Sequence, residues 1–421
     1  MRKLESSHFT PLMNISIPLT LGIVVGKLGH GHFDTLYWLM ASLLSWGISF
    51  VLHRIHFPVH GSIKQCLSLY FCIFCMGGLL VSHQEDKMQE SIQVISQEEL
   101  SSLDRTLMSV QTFRNNVSQK MQSLGIKDQD FAVISAMTLG EKTALTKETK
   151  EIYSISGASH VLAVSGLHIG IIFQLFVLLL RGRRRSVLTL SLSMIAIWTY
   201  VLFIGMPASA MRSATMISIC CFAMLAHREA LSTNNLCFAY VLMLLFNPLY
   251  LFDISFQMSF LAVFSIMLFA PGIQDCFTGS NDGRIFKWLK GMSCMSLAAQ
   301  IGTMPLIVYY FGRISCYSLL TGFIAIPAAT AILYLSASAM LIALFTSIPC
   351  ITFLTTPLLQ FVASCLVSIT QACNTALKLT TMLPGASIEG IKLNIPQLCL
   401  LYFSIVVGYI LIRRLRRFHS R

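Results

Sequence analysis

Residues 160–170, HVLAVSGLHIG, set two histidines, a serine and two glycines inside a long apolar run. Three chemistries suit those residue types: a metal pair, a serine nucleophile, or the lining of a polar path. On a regular helix His160 and His168 stand about 12 Å apart along the axis and ~80° apart around it, so they cannot chelate one metal unaided. No acidic residue nearby completes a site, so no metal is expected; a break at Gly166 would bring the rings closer, but nothing in the sequence requires one. Ser165 lies in A-V-S-G-L rather than G-x-S-x-G, and no strand pattern leads into it, so the context of a nucleophile elbow is missing. Ser165 and His168, three apart, share a helix face and can hydrogen-bond. Helix packing explains Ser165 and Gly166 more simply than catalysis does. His168 is different, because an ionisable side chain within a span is a functional hypothesis by default.

Three more apolar segments carry such intrusions. PASAMRSATMI (207–217) opens with Pro207 and places Arg212 one turn deeper. An arginine at the centre of a span costs about 2.5–3.5 kcal/mol on insertion scales, although one this close to a helix end can snorkel. FNPLYLFDISFQMSFLAVFSI (246–266) holds Asp253, Gln257 and Ser259, with Asp253 and Gln257 expected on one helix face. SLAAQIGTMPLIVYYFG (296–312) holds Gln300, Thr303 and Pro305, the last able to kink its helix. Each intrusion alone has a structural explanation, such as a helix–helix hydrogen bond. Together, four spans carry polar groups flanked by Gly or Pro. Lipid cannot satisfy them, so they should converge on each other or on water. The expectation is a polar, partly hydrated interior, with Ser165, Gly166, His168, Arg212, Asp253, Gln257 and Gln300 as lining or gating candidates and no catalytic residue.

The elements that must position these groups are legible in the composition. Only 11% of the 421 residues are charged, against roughly 25% in soluble proteins, and mean hydropathy is +0.71. Apolar runs fall at 11–29, 33–52, 63–82, 160–180, 186–205, 207–226, 236–247, 249–270, 291–311, 318–345, 353–380 and 396–412. The fold class is therefore all-α: a polytopic helical membrane protein with about 10–12 transmembrane helices. The net charge of +12 reads as topology. With Arg2 and Lys3 inside, Arg181, Arg183, Arg184 and Arg185, then His227 and Arg228, then Arg284, Lys287 and Lys290, and the tail Arg413, Arg414, Arg416, Arg417 and Arg421 all fall on one side, placing both termini in the cytoplasm. The 13 cysteines, Cys72-x-x-Cys75 included, lie in or beside apolar segments and read as packing.

Residues 83–155 then form a short helical extracytoplasmic segment. Leu103, Leu107, Val110, Val117, Met121 and Leu124 make one apolar stripe, with Gly125 as C-cap; a second helix covers 129–139 and stops at Gly140. Both are expected to lie on the membrane or on the spans. The remaining divisions are N-terminal spans 1–82, a core 156–345, and C-terminal spans with a basic tail 346–421.

In this order ASHVLAVSGLHIG, PASAMRSATMI, NPLYLFDISFQMSFLAVFSI and SLAAQIGTMPLIVYYFG resemble the competence domain of the ComEC family, and ISAMTLGEKTALTKETKEIYSISGASH (134–160) resembles its lead-in. The likeness runs over about residues 130–345. It implies a channel of the inner, cytoplasmic membrane that passes single-stranded DNA inward during natural transformation, without a cofactor. It also implies partners: the DNA strand, the bilayer, a DNA receptor, a cytoplasmic motor, a separate nuclease, and further copies of the chain. Residues 83–155 read as helical where family members commonly carry an OB-like domain, and no H-x-H-x-D-H cluster marks a metallo-β-lactamase-like nuclease. The rival expectations are a polytopic transporter of a lipid or small molecule, and an intramembrane hydrolase using Ser165 and His168.

Overall fold

The computed structural model describes residues 11–29, 33–54, 60–94, 102–123, 126, 128–180, 187–226, 233–276, 283–345 and 352–419. Sixteen α-helices follow in chain order: α1 Pro11–Leu28, α2 Thr35–Arg54, α3 His60–Val94, α4 Ser102–Ser123, α5 Asp128–Thr138, α6 Lys147–Ile155, α7 Ser159–Leu162, α8 Gly166–Leu179, α9 Val187–Phe203, α10 Ala208–Leu225, α11 Thr233–Phe246, α12 Ile254–Cys276, α13 Arg284–Phe311, α14 Ser318–Phe345, α15 Thr352–Thr381 and α16 Ile395–His419. Two short strands, β1 Arg313–Ser315 and β2 Ser387–Glu389, pair antiparallel. Among the described residues eight helices are long and apolar enough to cross a membrane, and four shorter apolar ones, α1, α8, α9 and α11, accompany them. The chain is a polytopic helical membrane protein, as the apolar runs require, because only a helix satisfies its own backbone in lipid. Gly125, the arginine block at 181–185, and His227 with Arg228 lie outside the described residues.

The helices divide into two compact units. The first comprises Met1–Leu103 and Thr215–Phe260. Here α1 and α3 touch backbone to backbone: a Cβ on Gly22 would stand 1.9 Å from Phe74 O, and one on Gly26 2.8 Å from Gly78 Cα. Ser45 and Ser68 each donate to the other's carbonyl, at 2.7 and 2.9 Å, tying α2 to α3. Lys27 pairs with Glu85 where α1 meets the polar extension of α3. Tyr240 packs against Phe256 and Phe260 and shares a 2.9 Å hydrogen bond with Thr20.

The second unit comprises Asp104–Ala214 and Leu261–Arg421. Its core is built around α5, in which every residue from Phe131 on is buried, as is the following Leu139. The helix packs on α14 and α15 through Ala325, Ala329, Ile332, Ala363, Leu366 and Leu377. Residues 129–139 thus lie on the spans, enclosed by them, and the chain leaves α5 through Gly140 at φ +74°, a left-handed turn that suits glycine.

Helix ends in this unit meet on one face. Tyr200 of α9 donates to Thr138 O at 2.9 Å, and Arg114 of α4 donates to Ile204 O, bracing the α9–α10 turn. Arg313, after α13, donates to Ser154 Oγ of α6 (2.9 Å) and pairs with Glu389, before α16 (2.9 Å). Lys378, near the end of α15, pairs with Glu148 of α6 at 3.4 Å. The C-terminal ends of α9, α13 and α15 and the starts of α10, α14 and α16 therefore share the face that carries α4–α7, the alternation expected of successive crossings.

Candidate functional site

The opening motif sits on a hairpin of short helices. Thr146 caps α6, its hydroxyl accepting from Thr149 N at 3.2 Å, and Gln129 Oε1 accepts from both threonine hydroxyls, at 3.0 and 2.9 Å. Tyr153 is 1% exposed and donates to Asn374 Oδ1 at 2.8 Å. Burial, with Cys373 beside it, pushes the Tyr153 phenol up from its ordinary value, so the group stays protonated as a donor. The chain then turns at Gly157 (φ +79°), where a Cβ would stand 2.8 Å from Ser315 Oγ and Ser318 Cβ. Thr321 Oγ1 donates to the Ser156 carbonyl at 2.7 Å, so the α6–α7 turn is fastened to the start of α14.

Residues 160–180 are not one regular helix. α7 ends at Leu162, Ala163 (φ −99°, ψ 139°) and Ser165 (φ −118°, ψ 177°) are extended, and α8 begins at Gly166. The 14 residues of α8 rise about 21 Å, short of a ~30 Å hydrocarbon core. Such a break inside a membrane protein survives where protein buries it or where it borders a cavity.

Local chemistry explains where the break falls. The Ser165 N–H donates to His168 Nδ1 at 3.2 Å, and the Ser165 hydroxyl lies 3.1 Å from the same nitrogen. This is a capping box with histidine in place of the usual glutamate. Because a backbone N–H can only donate, Nδ1 accepts and the neutral ring carries its proton on Nε2. His168 is fully buried, and Nε2 has no hydrogen-bond partner among the described residues.

The extended segment packs on α10. Ser209 donates to Val164 O at 2.7 Å and Ser213 to Ser209 O at 3.0 Å, while a Cβ on Gly166 would stand 2.7 Å from Ser213 Oγ. Arg212, between those serines, is 2% exposed; in place of the snorkelling alternative, it is drawn into protein. The first two motifs of the sequence are thus brought together.

The other candidates are placed differently. Gln300, also in the second unit, donates to Ser296 Oγ one turn back on α13, at 3.2 Å. Asp253 and Gln257 belong to the first unit. They do not share a face as interior helical residues, because Asp253 stands before α12 and its Oδ1 caps the helix, accepting from Phe256 N at 2.8 Å. Gln257 Nε2 donates to Leu251 O at 2.9 Å. With Asn247 Oδ1 accepting from Leu249 N, these side chains hold the 3-10 turn Pro248–Phe252 between α11 and α12.

Several positions escaped the sequence reading. Ser209 and Ser213 are four apart on the helix that carries Arg212, a visible spacing whose meaning depends on α8. Gly302 approaches Ser265 of α12 and accepts from Tyr402 OH at 2.9 Å. Arg313 gives no local signal for its bonds to Ser154 and Glu389. Among the described residues no group of three His, Cys, Asp or Glu is placed to hold a metal.

A helical membrane protein with a serine-capped broken helix seated on an arginine-bearing one is the class that these observations define. The profile of the Competence protein family matches residues 137–415, and the chain belongs to that family, in its ComEC-type form. It is 30% identical over 197 residues to ComE operon protein 3 of Bacillus subtilis (strain 168), an overlap covering 46% of this chain and 24% of that protein. It is 31% identical over 189 residues to an uncharacterized protein of Aquifex aeolicus (strain VF5), covering 44% of this chain and 42% of that one. The chain thus matches less than half the length of either relative. No solved structure matches it.

Proposed function

We propose that this chain is the membrane conduit of a DNA-uptake apparatus, passing a single strand across the cytoplasmic membrane into the cell. The observation that carries the reading is the break at Ala163–Gly166, packed on the helix that buries Arg212. A helix N-terminus carries a partial positive charge, and discontinuous helices place such ends against anionic cargo. The phosphates of a DNA strand are anions of that kind, and family membership favours DNA over a lipid or small molecule. Arg284, Lys287 and Lys290 open α13 and Arg414 lies near the end of α16, both remote from the face carrying α4–α7. That placement supports cytoplasmic termini and an outward α4–α7.

The conduit moves its cargo without chemistry of its own. The Ser165–His168 contact reads as a helix cap, the ring accepting from the Ser165 N–H, and among the described residues no carboxylate bonds His168 Nε2, which favours packing over the oriented histidine of a hydrolytic triad. A DNA receptor, a cytoplasmic motor and a separate nuclease complete the pathway, with further copies of this chain as neighbours in the assembly. Deleting the gene in a competent host and following labelled DNA tests the reading. The strand should bind at the cell surface and fail to reach the cytoplasm; undiminished arrival there would instead leave a transporter of another cargo.

A further inference from the structure

On the face that carries α4–α7, a cavity of about 250 Å³ opens between α5, α6 and the last turns of α15. It is smaller than the roughly 300–1,000 Å³ of drug-sized ligand sites, and its walls are of two kinds. Gln129, Thr149, Asn374 and Thr375 are polar; Ile152, Leu379 and Met382 are apolar. Lys378 also lines it. On α15 Asn374 and Lys378 are four residues apart and share one face, and Met382 follows directly after the helix ends. The polar side is already ordered: Asn374 accepts from Tyr153 and lies 3.5 Å from Asp130 Oδ1, while Gln371 donates to Asp130 Oδ2 at 2.7 Å.

Position and charge together specify an occupant. The apolar window of α15 ends at Thr381, so Lys378 and Met382 lie where the helix leaves the hydrocarbon. Leu379 and Met382 are 60% and 67% exposed, and Leu383 follows them outward. Lys378 Nζ stands 3.4 Å from Glu148 Oε1, both side chains largely exposed. An exposed pair of this kind is weak, so a ligand bearing both charges can replace it.

We infer that this cavity binds the headgroup of a zwitterionic aminophospholipid, its phosphate on Lys378, its ammonium on Glu148, and its acyl chains along Leu379 and Met382. A nucleotide of the transported strand is the less favoured occupant. Glu148 and Asp130 offset Lys378, and the aromatic in the lining, Tyr153, is buried with its hydroxyl already bonded to Asn374, whereas single strands bind in positively charged grooves lined with open aromatic faces. The site is independent of the conduit reading.

The test uses the full chain, purified in detergent, delipidated, and titrated with phosphatidylethanolamine, phosphatidylglycerol or phosphatidylcholine under native mass spectrometry. One tightly held phosphatidylethanolamine per chain is expected, retained at least fivefold better than either of the others. Lys378→Glu should abolish that preference. Met382→Trp, which fills the cavity without changing charge, should lower occupancy as much. Equal retention of all three lipids, preference for the anionic one, or retention unaffected by both variants would overturn the proposal. So would a photoreactive oligothymidine that cross-links to residues 371–382 and is displaced by mononucleotide but not by lipid.

Discussion

Gly302→Ala is the substitution whose consequence the geometry fixes most closely. A Cβ at 302 would lie 1.8 Å from Ser265 Oγ, 2.7 Å from Ser265 Cβ and 3.4 Å from Leu261 O. The hydroxyl can rotate away; Ser265 Cβ is fixed by its backbone. Restoring an ordinary contact of 3.4 Å from 2.7 Å moves α12 and α13 apart by about 0.7 Å, and gaps of that order forfeit a quarter to a half of each dispersion contact beside them. Overpacking of this kind costs about 1–3 kcal/mol. Alanine recovers roughly 0.5–1 kcal/mol of helix preference, so a net loss of up to about 2.5 kcal/mol is expected. Two second-site variants separate the causes. Ser265→Gly removes both offending atoms and should rescue Gly302→Ala with a coupling of about 1 kcal/mol or more. Ser265→Ala keeps the Cβ and should rescue little. Equilibrium unfolding of the purified chain in mixed micelles of rising dodecyl sulfate fraction measures all four states of the cycle. Additive effects, or equal rescue by Ser265→Ala, would refute the close approach of α12 and α13 at this point.

Three other outcomes are expected. Ser165→Ala removes a hydroxyl but leaves the N–H to His168 Nδ1, so DNA uptake should persist at more than half the wild-type level, whereas Gly166→Val, crowding Ser213, should reduce it at least tenfold at equal expression. Loss of uptake in Ser165→Ala with normal folding would revive the hydrolase. Arg212→Glu should block uptake at equal membrane abundance while Arg212→Lys retains part of it; equal effects of the two would argue against an electrostatic role. Tyr153→Phe deprives Asn374 Oδ1 of its buried donor and should destabilise by about 1–3 kcal/mol, read in the same micelle titration, with an unchanged midpoint disproving the contribution of that bond.

The spans were legible because lipid leaves a sequence little choice. The runs at 186–205 and 318–345 became α9 Val187–Phe203 and α14 Ser318–Phe345, since an apolar stretch of that length has no other way to satisfy its backbone. Helix 129–139 was visible too, although not its enclosure, because a short apolar helix carries no record of which spans will surround it. The interruption at Ala163–Ser165 was only half legible: Gly166 allows a break, but no proline forces one, and the serine three residues ahead of histidine reads as catalytic or packing chemistry before it reads as a cap. Asp253 was misread for a related reason. Four residues before Gln257 it matches a helical face, yet an aspartate just ahead of an apolar run is equally an N-cap, and the 3-10 turn from Pro248 decides for the cap. Gly302 gave no warning, since the atoms it meets belong to another helix.

The enclosure of α5 also imposes an order on biogenesis. Asp130 is bonded to Gln371, 241 residues later. At synthesis rates of about 5–20 residues per second, roughly 12–50 s pass between the emergence of α5 and that of the helix that completes its burial. During that interval Phe131–Leu139 lacks the α15 side chains that complete its burial. The core around α5 can therefore close only after α15 has been made, so a nascent chain stalled before that helix leaves an apolar segment uncovered and open to chaperones and proteases.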